Sequence, residues 1–219
     1  MSLRSALFLL FFLFSMPLIY LALASSASVT PKPHDPKEKP VAVNNPLSNT
    51  VALVIAPKDF RDEELFVPLE ALQKAGFLTV VASTKTGQAV GMLGGTVTPE
   101  KTIDHLRSGE LAGIIVVGGG GSPEYLWENK PLHALLRNTA AVNKPVAAIC
   151  LSPAVLAKAG LLKGKKATVY RDPAAIKALQ TGGAEYVAEP CVVDGLIVTA
   201  DGPTSSEAFV KAFLKLLKK

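Results

Sequence analysis

The sequence predicts an α/β domain in which a doubly wound, mostly parallel β-sheet carries helices on both faces. Short apolar runs such as residues 51–56 are typical of strands buried on both faces, and they alternate with segments of helical periodicity. Strands that alternate with helices at this pitch form a parallel sheet. The chain of 219 residues, 49% of them hydrophobic, is also long enough for one well-formed core.

The predicted elements follow one another along the chain in this alternating order. Strands are predicted at residues 51–56, 78–82, 114–117, 146–149, 167–170, 186–188 and 196–199. Helices are predicted at residues 64–75, 132–142 and 153–159, and a last helix opens at the capping-box spacing of residues 204–207. A Gly-rich stretch at residues 84–99 is typical of a small hairpin. Pro68 lies inside the first helix and predicts either a kink or a later start.

The first 48 residues differ in composition from the rest. Arg4 is followed by an uncharged run that lasts until Lys32, and the small residues at 22–24 have the spacing that signal peptidase uses. Residues 1–24 are therefore either a cleaved signal peptide or a membrane anchor that stays in contact with the bilayer. Both alternatives export the domain, to a periplasmic or extracellular position or to the outer side of a membrane.

The Pro-rich composition of residues 25–48 predicts a disordered tether, which leaves residues 49–219 as the domain. Residues 51–219 hold 19 Lys and Arg against 16 Asp and Glu, a net of +3, which is too mild to indicate a nucleic-acid partner. No metal cluster is apparent, and neither a metal nor a cofactor is expected. Cys150 and Cys191 are the only cysteines, and their spacing leaves open whether they pair.

Cys150 lies where the apolar run 146–149 passes directly into a predicted helix. The joining residue must occupy a tight turn that presents its side chain above the sheet, where parallel sheets bind ligands. The helix N-terminus points N–H groups at the sulfur, which predicts a lowered pKa for Cys150 and a reactivity above that of Cys191. The alternative interpretation is a small buried hydrophobic residue, as free cysteines usually are.

Two further features fall at the carboxyl ends of predicted strands. Four glycines at 118–121 leave backbone amides able to approach a substrate oxygen, as an oxyanion hole requires. They form no dinucleotide-binding loop, because Glu124 stands where the third glycine would fall. Three acids at 62–64 follow the first strand, where one could point toward Cys150 or all three could only complement a helix N-terminus.

Taken together, these segments resemble the ThiJ/PfpI superfamily over nearly all of residues 51–219. The resemblance is carried by ELFVP at 64–68, VVGGGGSPE at 116–124, AAICLSP at 147–153, the AGLLKGKKATVY that follows at 159–170, and VVDGLIVT at 192–199. It implies a flavodoxin-like sandwich of the class I glutamine amidotransferase type. It also implies a homodimer or larger assembly.

The resemblance assigns roles to single residues. It implies a site of Cys150 as nucleophile, Glu64 as its hydrogen-bonded acid, the amides of Gly120 and Leu151 as oxyanion donors, and Gly119 and Tyr170 as further pocket candidates. The Glu64 carboxyl is expected to be protonated near neutral pH, because two adjacent anions repel. Leu151 and Tyr170 stand where branches of the family have histidines, so a Cys–His dyad is not predicted.

Several functions remain compatible with these residues. The first is glyoxalase or deglycase chemistry, in which Cys150 attacks a small aldehyde such as methylglyoxal, or a modified protein side chain, and Glu64 transfers a proton. The second is a redox-sensing or stress-protective role through oxidation of Cys150 to a sulfinate. A cysteine peptidase or amidase is a third alternative, disfavoured by the missing histidine. The fold could also serve partner binding alone.

Overall fold

The computed structural model describes residues 49–218. The signal or anchor expected at residues 1–24 and the tether expected at 25–48 therefore lie outside the described residues. Among the residues that are described, no helix combines the length and the hydropathy that crossing a membrane requires.

Strands and helices alternate through the described residues. In chain order the strands are β1 (Thr50–Val54), β2 (Lys58–Phe60), β3 (Leu78–Ser83), β4 (Ala89–Gly91), β5 (Thr96–Val97), β6 (Lys101–Thr102), β7 (Leu111–Val116), β8 (Val146–Ile149), β9 (Lys166–Ala167), β10 (Glu185–Tyr186), β11 (Cys191–Asp194) and β12 (Ile197–Ala200). The helices are α1 (Asp62–Lys74), α2 (Ser122–Tyr125), α3 (Lys130–Ala141), α4 (Pro153–Lys158), α5 (Pro173–Thr181) and α6 (Ser206–Leu217).

A seven-stranded sheet forms the centre of the fold, with the spatial order β11–β12–β8–β7–β1–β3–β6. All neighbours pair in parallel except β11, which runs antiparallel to β12 at one edge. The predicted fold class, a doubly wound and mostly parallel sheet, is therefore confirmed. Two small sheets lie beside it, β9 with β10 and β2 with β4 and β5.

The central strand β1 shows why helices cover both faces. Val51 and Leu53 belong to the core layer under α1 and α6, whereas Ala52 and Val54 belong to the layer under α3, α4 and α5. All four side chains are fully buried. Because successive strand residues point to opposite faces, a continuous apolar run is needed where both faces are covered.

Several predicted elements agree with the structure and others do not. The hairpin predicted at residues 84–99 is present as β4 and β5, which pair antiparallel. The first helix begins at Asp62, two residues early, with Pro68 inside it. The strand predicted at 167–170 shortens to β9, while α5 and the edge strand β11 were not predicted.

The capping box predicted at residues 204–207 is wrong. A short 3-10 turn precedes α6, and no side chain caps the first turn of that helix. The predicted box needs Thr204 as its N-cap, but α6 begins at Ser206 with Ser205 as its N-cap, and the Ser205 hydroxyl donates to Asp201 Oδ1 at 2.6 Å.

We predict that a polypeptide of residues 49–219 folds on its own. Its core layers are built from residues within 51–216, and β1 at their centre begins directly after Asn49. Thermal unfolding of this polypeptide should be cooperative, with a midpoint within about 4 °C of the full chain, which corresponds to no more than about 1 kcal/mol. Aggregation or a non-cooperative transition would show that the domain boundary is misplaced.

Candidate active site

Cys150 lies at the junction of β8 and the loop to α4 in the strained conformation that the sequence predicts. Its φ angle is 60°, in the left-handed region that side-chain-bearing residues rarely adopt. Two backbone hydrogen bonds hold it there: its N–H donates to Ala200 O at 2.9 Å, and its carbonyl accepts the Tyr170 N–H at 2.9 Å. The side chain is 7% exposed, so the sulfur sits at the floor of the site.

The three consecutive acids at the start of α1 have three different surroundings. Asp62 accepts backbone N–H groups from the turn between β4 and β5. Glu63 turns outward and forms a two-pronged ion pair with Arg61, with contacts of 2.8 and 3.1 Å. Glu64 is fully buried and faces Cys150. Only Glu64 is therefore placed to act on the thiol.

The pKa of Glu64 is raised to about 8, chiefly because burial disfavours the charged carboxylate. The nearby Cys150 thiol and the Gly118 N–H, which donates to Oε2 at 3.0 Å, lower the pKa of Glu64 but do not offset burial. The second oxygen, Oε1, is buried and has no hydrogen-bond partner among the described residues. Glu64 is therefore protonated at neutral pH, as the sequence predicts.

The expected lowering of the Cys150 pKa is wrong. Burial raises the pKa of the Cys150 thiol, the Glu64 carboxyl beside it raises it further, and the amides of Gly119 and Leu151 only partly counter these effects. The pKa of Cys191 is also raised, mainly by burial. The structure therefore gives no reason to expect that Cys150 is a thiolate in the resting protein, or that Cys150 is more reactive than Cys191. Both cysteines are free thiols.

Gly118 lies against both central side chains, Cys150 and Glu64. A Cβ atom built on Gly118 would lie 2.6 Å from the Cβ of Cys150 and 2.6 Å from Oε2 of Glu64. Real side chains essentially never approach so closely, so only glycine fits here. The first of the four glycines therefore allows the backbone to pass close to Cys150 and Glu64, and its N–H donates to Glu64 rather than to a substrate.

The backbone amides that lower the pKa of the Cys150 thiol belong to Gly119 and Leu151. Leu151 was expected as a donor, whereas Gly119 was expected only to line the pocket. Gly119 has a φ of 104°, and a Cβ there would overlap the backbone N of Arg61. The backbone conformation at this position beside the sulfur is therefore open only to glycine.

The remaining two glycine amides are engaged elsewhere. The Gly120 N–H, expected as an oxyanion donor, donates to the thioether Sδ of Met92 at 3.3 Å. The Gly121 N–H donates to the carbonyl of Asp59 at 3.0 Å. Gly120 alone has room for a side chain, because the nearest atoms to a Cβ built on it are 3.9 Å away.

A cleft of about 300 Å³ opens above the sulfur. It is lined by Arg61, Met92, Gly119, Gly120, Cys150, Leu151, Tyr170 and Pro203. The sequence predicted the cysteine, the glycines, Leu151 and Tyr170, but missed Arg61, Met92 and Pro203. Arg61 and Pro203 stand beside predicted motifs, whereas Met92 reaches the cleft from a separate hairpin, and no local pattern marks it.

Histidines take no part in this cleft within the described residues. His133 is buried, with Nε2 placed 2.9 Å from the Trp127 carbonyl oxygen, and His105 is exposed beside Thr102. His34 lies outside the described residues. Over the same described part of the chain, no group of three or more His, Cys, Asp and Glu side chains could hold a metal ion.

This geometry defines a class of protein: doubly wound α/β domains that carry a cysteine at a strand-to-helix turn and a buried acid beside it. The model of the DJ-1/PfpI family matches residues 49–216. The chain belongs to the DJ-1/PfpI family, within the ThiJ/PfpI superfamily that the sequence resembles.

Relatives and solved structures agree with this membership. The chain is 47% identical over 202 residues to an uncharacterized protein of Methanocaldococcus jannaschii, with 92% of this chain and 95% of that protein covered. It is 33% identical to a deglycase of Pyrococcus horikoshii, covering 76% of this chain and 98% of the relative. A ThiJ/PfpI domain protein from Brachyspira murdochii superposes with a TM-score of 0.74 at 32% identity, covering 78% of this chain and 96% of that one.

We predict that Glu64 makes the stability of the domain fall as pH rises. Its folded pKa of about 8 lies above the unfolded value, so stability is fully present below the unfolded pKa of about 4.3 and is lost as pH rises toward 8. Urea unfolding between pH 4.5 and 9 should show this loss in the wild type. Glu64→Gln should flatten the profile, because it has no proton to lose.

Glu63→Gln is the matched control for this experiment. Glu63 is the neighbouring acid but is partly exposed and paired with Arg61. Its substitution should leave the slope between pH 4.5 and 8 unchanged. A slope that Glu64→Gln leaves unchanged would mean that Glu64 ionises normally in the folded protein, and equal flattening by both substitutions would mean that the slope does not belong to Glu64 alone.

Proposed function

We propose that this protein acts on small reactive aldehydes, with Cys150 as the nucleophile and Glu64 as the proton-transfer group. The observation that carries the proposal is the close placement of Cys150 and the fully buried Glu64 carboxyl around Gly118, at the floor of a small cleft, with the pKa of Glu64 raised to about 8. An acid–base group is most effective when its pKa lies near the working pH. Relatives named as deglycases, including the one from Pyrococcus horikoshii, support the same chemistry.

The first step forms a hemithioacetal. The ionised fraction of Glu64 takes the thiol proton as the sulfur bonds to the aldehyde carbon, and the proton is then passed to the former carbonyl oxygen. This route needs no standing thiolate, which fits the raised pKa of Cys150. The amides of Gly119 and Leu151 stabilise negative charge on the sulfur while the proton moves.

The second step transfers a proton between adjacent carbons of a 2-oxoaldehyde. The Glu64 carboxylate removes the hydrogen of the carbon bonded to sulfur, and returns a proton to the neighbouring carbon through an enediol. The product is a thioester of a 2-hydroxyacid. Water then cleaves the bond between sulfur and the acyl carbon, which releases the hydroxyacid and restores the thiol. One carboxyl serves both transfers, so no histidine is required.

Electrostatics favour this function over the two alternatives. Oxidation to a sulfinate is fastest for exposed thiolates, whereas Cys150 is buried and its pKa is raised. A peptidase must protonate a leaving amine, and no histidine of the described residues lines the cleft. Addition to an aldehyde expels no leaving group. The cleft volume of about 300 Å³ also lies at the small end of ligand pockets, which suits a small substrate.

The proposal extends to the location and assembly of the protein. Export of the domain, with membrane contact if residues 1–24 are retained, would place aldehyde removal outside the cytoplasm. This part rests on the composition of residues 1–48. Assembly with further copies of the chain rests on the family resemblance.

We predict that the protein converts methylglyoxal to lactate and that the conversion depends on two side chains. Cys150→Ala should abolish turnover, and Glu64→Gln should lower kcat by at least about 100-fold, the typical loss on removing a positioned acid or base. Because the carboxylate form of Glu64 acts as the base, kcat/KM should rise with pH up to about 8. Lactate production measured between pH 5.5 and 9 tests both expectations.

Cys191→Ala and Glu63→Gln are the matched controls, since each alters a residue of the same type outside the contact. Both should retain wild-type turnover. If Cys150→Ala and wild type are equally inactive while peroxide converts Cys150 to a sulfinate, the redox alternative replaces this proposal. If Glu63→Gln reduces turnover and Glu64→Gln does not, the assignment of the acid is wrong.

A further inference from the structure

The hairpin of β4 and β5 is fastened to the start of α1 at the mouth of the cleft. Asp62 accepts the Leu93 N–H at 2.8 Å and the Gly95 N–H at 2.7 Å, one on each carboxyl oxygen. The Met92 N–H donates to the Phe60 carbonyl at 2.9 Å. Three hydrogen bonds within four residues fix the position of this turn.

The fit between Asp62 and the hairpin leaves no room for side chains at the two glycines that flank the turn. A Cβ built on Gly91 would lie 2.5 Å from either carboxyl oxygen of Asp62, and one on Gly95 would overlap the same group. Asp62 is itself buried. The hairpin is therefore held against α1 by a buried carboxylate and by close backbone packing.

This arrangement brings Met92 into the cleft. Its side chain lines the cleft together with Cys150 and Tyr170, and its Sδ accepts the Gly120 N–H at 3.3 Å. The residue is 47% exposed, so core packing does not explain its position. Instead the fold directs an exposed apolar side chain onto a backbone amide beside the nucleophile.

We propose that Met92 determines the substrate size that this site accepts, and that its thioether covers the Gly120 amide until a substrate oxygen displaces it. This inference rests on the proposed function and names the substrate class more narrowly, as aldehydes with a small apolar substituent. The Met92 side chain forms one wall of a cleft of about 300 Å³. A bulky substituent would have to occupy the space that this side chain fills.

A thioether is a suitable temporary partner for that amide. Sulfur is a weak hydrogen-bond acceptor, whereas an oxygen that gains negative charge is a strong one. Exchange of Met92 Sδ for the substrate oxygen therefore becomes more favourable as the sulfur of Cys150 adds to the aldehyde. Interactions that strengthen during the reaction accelerate it, whereas equal binding before and during it does not.

The test compares methylglyoxal with phenylglyoxal, which carries a bulky aromatic substituent in place of the methyl group. In the full-length protein, Met92→Ala should raise the ratio of kcat/KM for phenylglyoxal over methylglyoxal by at least about tenfold, the lower end of what a change of pocket volume yields. Met92→Leu keeps the volume and should hold the ratio within about twofold of wild type. An equal rise in both variants, or in neither, would overturn the assignment.

Leu93→Ala is the matched control on the same turn. Leu93 is 62% exposed and does not line the cleft, so its substitution should leave the ratio unchanged. Thermal unfolding of each variant, with a midpoint close to that of the wild type, shows that the hairpin remains in place. A shift of the ratio by Leu93→Ala equal to that of Met92→Ala would mean that hairpin mobility, not the Met92 side chain, sets the size limit.

Alkylation of Cys150 separates failure of this inference from failure of the proposed function. In a Cys191→Ala background, the rates of modification by iodoacetamide and by the larger iodoacetanilide can be measured without any turnover. Met92→Ala should raise the relative rate with iodoacetanilide, and Met92→Leu should not. If no aldehyde is turned over but this rise is seen, the proposed function fails and the size limit stands. If aldehydes are turned over and neither ratio moves, Met92 has no such role.

Discussion

The burial of one carboxyl group is the constraint on which the site depends. Glu64 is fully inaccessible to water, and one backbone N–H, from Gly118, replaces only part of its lost hydration. An uncompensated carboxylate is too costly to bury, so the group holds its proton at neutral pH. The neighbouring glycine, the strained Cys150 and the early start of α1 can all be understood as ways of bringing this acid against the thiol.

The pKa of Cys150 shows how two physical effects compete at a strand-to-helix junction. A helix N-terminus stabilises a nearby negative charge by about 0.3–1 kcal/mol, and by up to about 2 kcal/mol when partly buried. Burial can raise the pKa of an acid by up to about 3–5 units, each unit being worth about 1.4 kcal/mol. The helix after Cys150 is short, with only six residues, and desolvation outweighs it. Both the carboxyl of Glu64 and the thiol of Cys150 are therefore protonated until a substrate arrives.

The sequence predicts the features that are local in the chain. The sharp turn at Cys150 follows from an apolar strand that is joined to the next helix by only three residues. Continuous apolar runs likewise identify the parallel strands, and Glu64 follows from the family resemblance. The capping box at residues 204–207 does not form although its pattern is present, because a 3-10 turn moves the start of α6 to Ser206, and the hydroxyl of its N-cap, Ser205, donates to Asp201. Local patterns predict such contacts only where no tertiary partner competes.

Features that depend on tertiary placement could not be predicted in the same way. Met92 lies 28 residues from the glycine whose amide it contacts. Its position depends on how Asp62 fastens the hairpin, and that acid looks in the sequence like an ordinary helix-start residue. The lowered pKa expected for Cys150 failed for a related reason, because the degree of burial is a property of the whole fold.

The glycine run also indicates how sites of this kind can diversify during evolution. Three of its four positions are closed to any side chain, since each lies against backbone or against the two central residues. Gly120 alone is open, and a side chain there would project toward Met92 at the mouth of the cleft. A substitution at Gly120 can therefore alter what the cleft admits, while the geometry of the thiol and the acid is preserved.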